Sequence, residues 1–397
     1  MRRRARAAVF FHQLQFSQMS SEPPIQPNAD IAISEAPEYL SEQILTYLGN
    51  KRQLLTFIGD AIQVVQDRLG REKLTMFDVF SGTGIVSRFF KRFASRLYVN
   101  DLEAYSECVN SCYLTNRGSL DISMLQAMLE ELKQRVAENL HDGVITELYA
   151  PQDDDRICSG ERVFYTRRNA KYIDTARQEI GLLPEEIQRF FLAPLIYGAS
   201  VHTNTAGMFK GFYKNKEGMG QFGGRARNAL SRIRGDIELM LPVFSNFECD
   251  FEVYRKEALT AATEMPEDVD FAYLDPPYNQ HPYGSNYFML NLIVDYKRPA
   301  KVSRVSGIPD DWNRSAYNQR HKAQETLFTL VENMRAKYIL ISYNSDGFVK
   351  YDDFVKHLSK LGELTTMSTD YNTFRGCRNL SERDIHVKEY LFLLKRH

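Results

Sequence analysis

Residues 269–278 read VDFAYLDPPY, a short and mostly apolar run that stops at an acid, two prolines and a tyrosine. A run of that length, bounded by a breaker, reads as a buried strand rather than a helix. The prolines forbid its continuation, because each fixes φ near about −65° and removes a backbone donor. Leu74 to Phe80, Leu97 to Asn100, Phe251 to Tyr254 and Tyr338 to Ser342 are runs of the same kind, separated by stretches of helical spacing. Strands alternating with helices predict an α/β fold on a largely parallel sheet. The chain closes on an alternating run, HVKEYLFLLKR, which suits an antiparallel strand.

With 397 residues, the chain has room for two units or for one core with a large insertion. Hydrophobic residues at 43% and charged residues at 25% exclude a disordered or collagen-like chain. A net charge of −1 excludes a general polycation that coats nucleic acid, while leaving room for a local basic patch. Five cysteines without a CxxC pair make neither a disulfide framework nor a zinc cluster, so no metal is expected and the compartment reads as reducing and cytoplasmic. No apolar run reaches the roughly 18 residues a membrane helix needs.

Residues 1–38 begin with MRRRARAAVFFHQLQF, whose apolar patch is short for a signal peptide, and continue rich in Pro, Ser and acids. They read as a mobile tail without chemistry, with Met19 as an alternative start. Ile44, Leu54, Leu55, Ile58, Ile62 and Val65 form a helical stripe, interrupted by a loop at Tyr47–Lys51, YLGNK. Ser81–Gly84 make a small-residue turn, after which Ile85, Phe89, Phe90 and Phe93 follow helical spacing. From about 120 to 249 the chain is first helical and acidic, then rich in Gly, aromatic and basic residues. The expected division is a tail at 1–38, a first α/β part at 39–119, an insertion at 120–249 and a second α/β part at 250–397.

Two constellations carry chemistry. In DVFSGTG, Asp78–Gly84, a Gly-rich turn between strand and helix lets a ligand approach the backbone, and Asp101 ends the next strand where a carboxylate can take ribose hydroxyls. Ser87 stands where the dinucleotide fingerprint has its third glycine, which disfavours a pyrophosphate and with it a nicotinamide-dependent oxidoreductase. A nucleoside without phosphates fits better. In DPPY, Asp275 beside rigid carbonyl acceptors can hold an exocyclic amine by its hydrogens, and Tyr278 offers a face for a planar base. Taken singly, each motif also reads as a plain turn with packing residues.

With YLGNK first, FSGTG next, an insertion and then DPPY, the chain resembles the DNA adenine-N6 methyltransferases of the alpha motif order, over roughly residues 39–397. The resemblance implies a Rossmann-like S-adenosylmethionine-dependent methyltransferase sheet with an inserted, largely helical target-recognition domain. It implies S-adenosyl-L-methionine as cofactor, with Tyr47 and Lys51 at its methionine end, Phe80 and Gly82 lining the same pocket, Asp101 on the ribose and Glu257 at the adenine. Asp275 and the Pro276 carbonyl would accept from the target amine, with Asp275 also near the cofactor, and Tyr278 would stack on the base. The partner implied is double-stranded DNA, and family habit adds a restriction endonuclease acting on the same site. Glu257 reads equally as a solvated helix opener.

The stretch Thr205–Gly235 carries seven basic residues against Glu217. Lys210, Lys214 and Lys216 are expected on phosphates, and Arg225 and Arg227 on guanine edges. TNTAGMFKGFYK resembles a family stretch near the target base, which nominates Asn204, Phe209 and Phe212, although Phe209 also suits a core. A second basic run spans 297–322, and a charge run is also an ordinary solvated surface. SYNSDGF (342–348) and TFRGCRNLSERD (373–384) resemble strand-end and loop segments beside the target base. Cytosine C5 methylation needs a Pro-Cys nucleophile, which is absent. The alternatives are an RNA adenine-N6 methyltransferase, a DNA cytosine-N4 methyltransferase, where Ser usually replaces Asp275, and a catalytically silent DNA-binding protein.

Overall fold

The computed structural model describes residues 35–42, 44–45, 47–227, 229–266, 268–372 and 386–397. Among these residues seven strands form one sheet: β1 (Leu74–Asp78), β2 (Ala94–Asp101), β3 (Asp250–Arg255), β4 (Val269–Leu274), β5 (Ala336–Asn344), β6 (Gly362–Asn372) and β7 (His386–Arg396). Their order is β3-β2-β1-β4-β5-β7-β6. Strands β1 to β5 pair in parallel, and β7 enters antiparallel between β5 and β6. The expected α/β fold on a largely parallel sheet, closed by an antiparallel last strand, is therefore present.

Strand β4 is buried at all its positions, as a central parallel strand covered on both faces must be. Side chains alternate between the faces. Met76, Val99, Phe271, Tyr273 and Leu340 share one core with the helices Leu55–Leu69 and Ile85–Phe90. Val79, Tyr98, Ala272, Leu274 and Ile341 share another with the helices Ala258–Glu264, Ala323–Asn333 and Tyr351–Leu358. The helix Leu55–Leu69 buries the foreseen stripe of Ile58, Ile62 and Val65, each side chain worth about 1.5–3 kcal/mol when removed from water. It ends at Gly70, whose φ of 63° suits a left-handed cap.

The 120–249 interval contributes the helices Ile122–Glu138, Arg167–Gly181 and Glu185–Val201. Their apolar faces pack in one core with Tyr105, Val109 and Cys112 of the helix Ala104–Tyr113 and with Phe288–Ile293. Glu35–Glu38 depart from the expected tail. Glu35 is 7% exposed and accepts from the Ser245 hydroxyl and the Asn246 amide, while a short helix begins at Pro37. A carboxylate that finds two donors has left the solvent, which the Pro- and acid-rich composition did not reveal.

Candidate active site

The strand order reverses between β1 and β4, and open α/β sheets bind ligands beyond the carboxyl ends of strands at that point. A cavity of about 330 Å³ lies there. Tyr47, Lys51, Phe80, Gly82, Asp101, Glu257 and Asp275 all line it. Every residue nominated for the cofactor is thus in one wall, drawn from separate stretches of chain.

The turn after β1 explains its own glycines. Gly82 has a φ of 51° and Gly84 of 75°, and a Cβ at Gly84 would stand 2.4 Å from Asn110 Oδ1. Asp101 Oδ2 accepts from the Gly82 amide at 2.8 Å, and Oδ1 from the Glu103 amide at 3.0 Å. Those main-chain donors fix the carboxylate at the cavity edge. Burial raises the Asp101 pKa, and the same amides oppose the rise.

The YLGNK loop is held by aromatic rings behind the DPPY corner. Tyr47 stacks on Tyr283 and Tyr287 with centroids at 5.0 and 4.7 Å. The Leu48 amide donates to the Tyr287 hydroxyl at 2.8 Å, and the Tyr283 hydroxyl donates to the Leu48 carbonyl at 3.2 Å. This clamp delivers Lys51, 5% exposed, to Asp275: Nζ lies 3.2 Å from Asp275 Oδ1 and 2.7 Å from Glu389 Oε1. Burial opposes charge on Lys51, but the carboxylates of Asp275 and Glu389 outweigh it and hold the ammonium pKa well above its usual value. Burial raises the Asp275 pKa to about 6, against the lowering pull of Lys51. The corner therefore offers an ionised acceptor at neutral pH.

Glu389 was not foreseen. It is 1% exposed and also accepts from Ser342 Oγ at 2.7 Å and Asn344 Nδ2 at 3.3 Å. Its signal lay in the alternation of HVKEYLFLLKR, where it shares a face with Leu391 and Leu393. An acid at a core-facing position needs a partner, because an unpaired buried charge is too costly. Glu103 was missed as well. It lines the cavity, accepts from Asn313 Nδ2 at 3.0 Å and from Asn291, and burial raises its pKa to about 7.

The remaining nominees divide. Pro277 rather than Pro276 faces the cavity. Tyr278 stands next to the ion pair but outside that wall: Lys51 Nζ is 5.8 Å from its ring centroid and Tyr343 packs against it at 6.0 Å. The Phe348 amide donates to the Tyr278 carbonyl at 3.1 Å, which joins SYNSDGF to the same corner. Glu257 opens the helix Ala258–Glu264 by accepting from the Leu259 and Thr260 amides, as the helix-opener reading has it, and it also lines the cavity.

Two DNA nominees need correction. Asn204 is fully buried, donating to the Val163 and Gln221 carbonyls and accepting from the Gly223 amide. Phe209 is 1% exposed and packs on Phe164 at 6.3 Å. Both organise the Gly-rich loop from inside, and a side chain so occupied presents nothing to a base edge. The Phe209 amide donates to the Asn286 carbonyl at 2.7 Å, which ties this loop behind the DPPY corner. Lys210, Lys216, Arg225 and Arg227 are exposed, and Lys214 is half-buried over the Phe212 ring at 5.1 Å. Lys210 lies near enough to His281, three residues past Tyr278, to reinforce the lowering of its pKa by burial. The nominated segment 373–384 lies outside the described residues. No helix among the described residues is long and apolar enough to cross a membrane.

A family model for D12 class N6 adenine-specific DNA methyltransferases matches residues 47–305. The chain is 28% identical over 362 residues to the type II methyltransferase M.NlaIII of Neisseria lactamica, covering 89% of this chain and 99% of that protein. It is 26% identical over 364 residues to the type II methyltransferase M.CviAII of Paramecium bursaria Chlorella virus 1, covering 88% and 97%. It is 24% identical over 366 residues to the type II methyltransferase M.FokI of Planomicrobium okeanokoites, covering 89% of this chain and 53% of that longer protein. The family match runs from the Tyr47 loop past the Asp275 corner and takes in most of the chain, which belongs to the D12 class of N6 adenine-specific DNA methyltransferases.

Proposed function

We propose that the protein methylates N6 of an adenine within a specific duplex DNA sequence, using S-adenosyl-L-methionine, in the cytoplasm and as the modification partner of a restriction endonuclease. The observation that carries the reading is the contact of Lys51 with Asp275 in a cavity that also holds Gly82 and Asp101. The donor set suits that cofactor: Asp101, Glu103, Glu257 and Asp275 make the wall acid-rich around a nucleoside-sized space, and a sulfonium is cationic. When bound, S-adenosyl-L-methionine supplies an electrophilic methyl group together with its own leaving group.

The chain's residues then have distinct tasks. Asp101 takes the ribose hydroxyls, Glu257 the adenine end, and Tyr47 and Lys51 the methionine end. An adenine amine is a poor nucleophile because its lone pair is delocalised into the ring. Asp275 and the Pro276 carbonyl accept its two N–H groups and draw the nitrogen toward a tetrahedral shape. Lys51 keeps Asp275 ionised and fixes its direction. Aligning the reactants in this way is worth about 7–11 kcal/mol of barrier. The target atom is hidden in a duplex, so the base must be extruded at a cost of a few kcal/mol, which stacking on Tyr278 offsets. Lys210, Lys214 and Lys216 meet phosphates, while Arg225 and Arg227 read base edges.

Expression in a host without DNA methylation, followed by single-molecule sequencing, tests the proposal. N6-methyladenine at one recurrent motif is expected. Unmodified genomic DNA, or adenines modified without regard to sequence, would reject it.

A further inference from the structure

Residues Asn313–Asn318 also line the cavity, although they follow the DPPY corner by some forty positions and lie beyond the 47–305 interval of the family match. This strap is tied at both ends. Asn313 Nδ2 donates to the Leu102 carbonyl at 3.2 Å and to Glu103 at 3.0 Å, beside Asp101. Asn318 Nδ2 donates to the Asn279 carbonyl at 2.7 Å, one residue past Tyr278. The crossing requires bare backbone at Gly284, where a Cβ would stand 2.3 Å from the Asn313 carbonyl oxygen.

Between the ties lies Tyr317, 2% exposed, packed edge-on against Phe80 at 5.1 Å. Its hydroxyl is buried and has no hydrogen-bond partner among the described residues. The same holds for Asn318 Oδ1. Leaving a buried polar atom unpaired costs as much as a lost hydrogen bond, and two in one stretch of cavity wall point to a ligand that satisfies them. The bond from Asn318 Nδ2 to Asn279 fixes the amide's orientation and leaves Oδ1 as an acceptor. Tyr317 also lies within electrostatic reach of Glu257.

We infer that Tyr317 and Asn318 read the purine of the methyl donor. Asn318 Oδ1 accepts from the exocyclic amine, the Tyr317 hydroxyl donates to a ring nitrogen, and the Phe80 ring supplies an apolar face. The inference rests on the proposal that the cavity takes S-adenosyl-L-methionine. It makes the strap a determinant of cofactor specificity, since a site built to bond an N–H strongly rejects an analogue lacking it.

The test is calorimetric titration of the full chain with S-adenosylhomocysteine and with S-inosylhomocysteine, whose purine carries an oxygen in place of the amine. Trp312, the chain's single tryptophan, adjoins the strap and gives a second, optical reading of the same titrations. The wild type is expected to prefer the adenosyl ligand by about 100-fold or more. Asn318→Ala should bind the adenosyl ligand about tenfold more weakly and lose most of that preference. Asn318→Asp keeps the acceptor and should keep the preference, even with the tie to Asn279 broken. Tyr317→Phe, which retains the ring, should weaken both ligands about threefold. A wild-type preference that survives in Asn318→Ala, with both ligands weakened equally, would reduce the strap to a structural tie and overturn the inference. If the wild type bound neither ligand, the cofactor reading of the cavity would fall first, and the inference with it.

Discussion

Lys51 Nζ stands 3.2 Å from Asp275 Oδ1, and the two side chains come from opposite ends of the family match. The YLGNK loop is pinned by Tyr283 and Tyr287, which follow the DPPY corner, so each segment sets the other's position. Removing the ammonium leaves Asp275 and Glu389 facing each other with no cation between them. Breaking a buried pair by deleting one partner costs about 3–5 kcal/mol. Lys51→Met should therefore lower the unfolding midpoint and raise the Asp275 pKa further, moving the acid limb of any residual activity to higher pH. An acid limb identical to the wild type would show that Lys51 does not tune Asp275.

The pH dependence of the wild type follows from the same carboxylate. Burial lifts Asp275 from 3.8 to about 6, and under the proposed mechanism the ionised form is the one that accepts both from the amine and from Lys51. kcat/KM should rise with pH through about 6 and level off above it. Asp275→Asn should remove that limb along with at least about 100-fold of the rate. A wild-type limb near pH 4 would mean that the corner is wetter than the structure implies.

Glu103 gives a stability prediction independent of catalysis. Its pKa is raised from 4.5 to about 7, so the folded protein holds a proton that the unfolded chain has already released. The Glu103 contribution to stability should fall as pH rises from about 4.5 to about 7, by at most about 3 kcal/mol. Glu103→Gln keeps an acceptor for Asn313 and should show a shallower decline, with Asp78, which burial also raises to about 7, contributing to the remainder. Urea midpoints at pH 5 and pH 8 check it, and parallel pH dependences in the two proteins would refute the assignment.

On the DNA side, Lys210 and Lys216 are exposed on the Gly-rich loop tied behind the corner. Replacing both with Ala should reduce the slope of log affinity against log salt by about 0.9 for each phosphate that is no longer neutralised. Arg225→Ala should instead relax the preference at one base pair, by about 1–3 kcal/mol. A salt slope that stays constant in the double lysine variant would move the DNA surface elsewhere.

Much of the sheet and of the cavity wall was legible in the sequence. Strand β4 begins and ends where its apolar run does, because Pro276 and Pro277 leave no alternative. The glycines of FSGTG marked a turn whose φ values require them. Strand β6, GELTTMSTDYN, escaped notice because a Thr-rich edge strand has no continuous apolar run. Glu389 is inconspicuous because a single acid in the alternating run of β7 looks like a solvent-facing position until Lys51, Ser342 and Asn344 are brought to it. The strap at 313–318 had no local signal, since its role comes from ties to Leu102, Glu103 and Asn279 that only folding brings near. Asn204 differs for the opposite reason: its segment resembles one near a target base, but its amide holds the loop from within, and Phe209 takes the core position its sequence also allowed.

The most direct test of the central claim is product analysis after incubating purified protein with duplex DNA and labelled S-adenosyl-L-methionine, beside Asp275→Ala. Labelled N6-methyldeoxyadenosine from the wild type, and none from a variant that still binds the cofactor, is the predicted result. Label in N4-methyldeoxycytidine, or undiminished transfer by Asp275→Ala, would contradict the account.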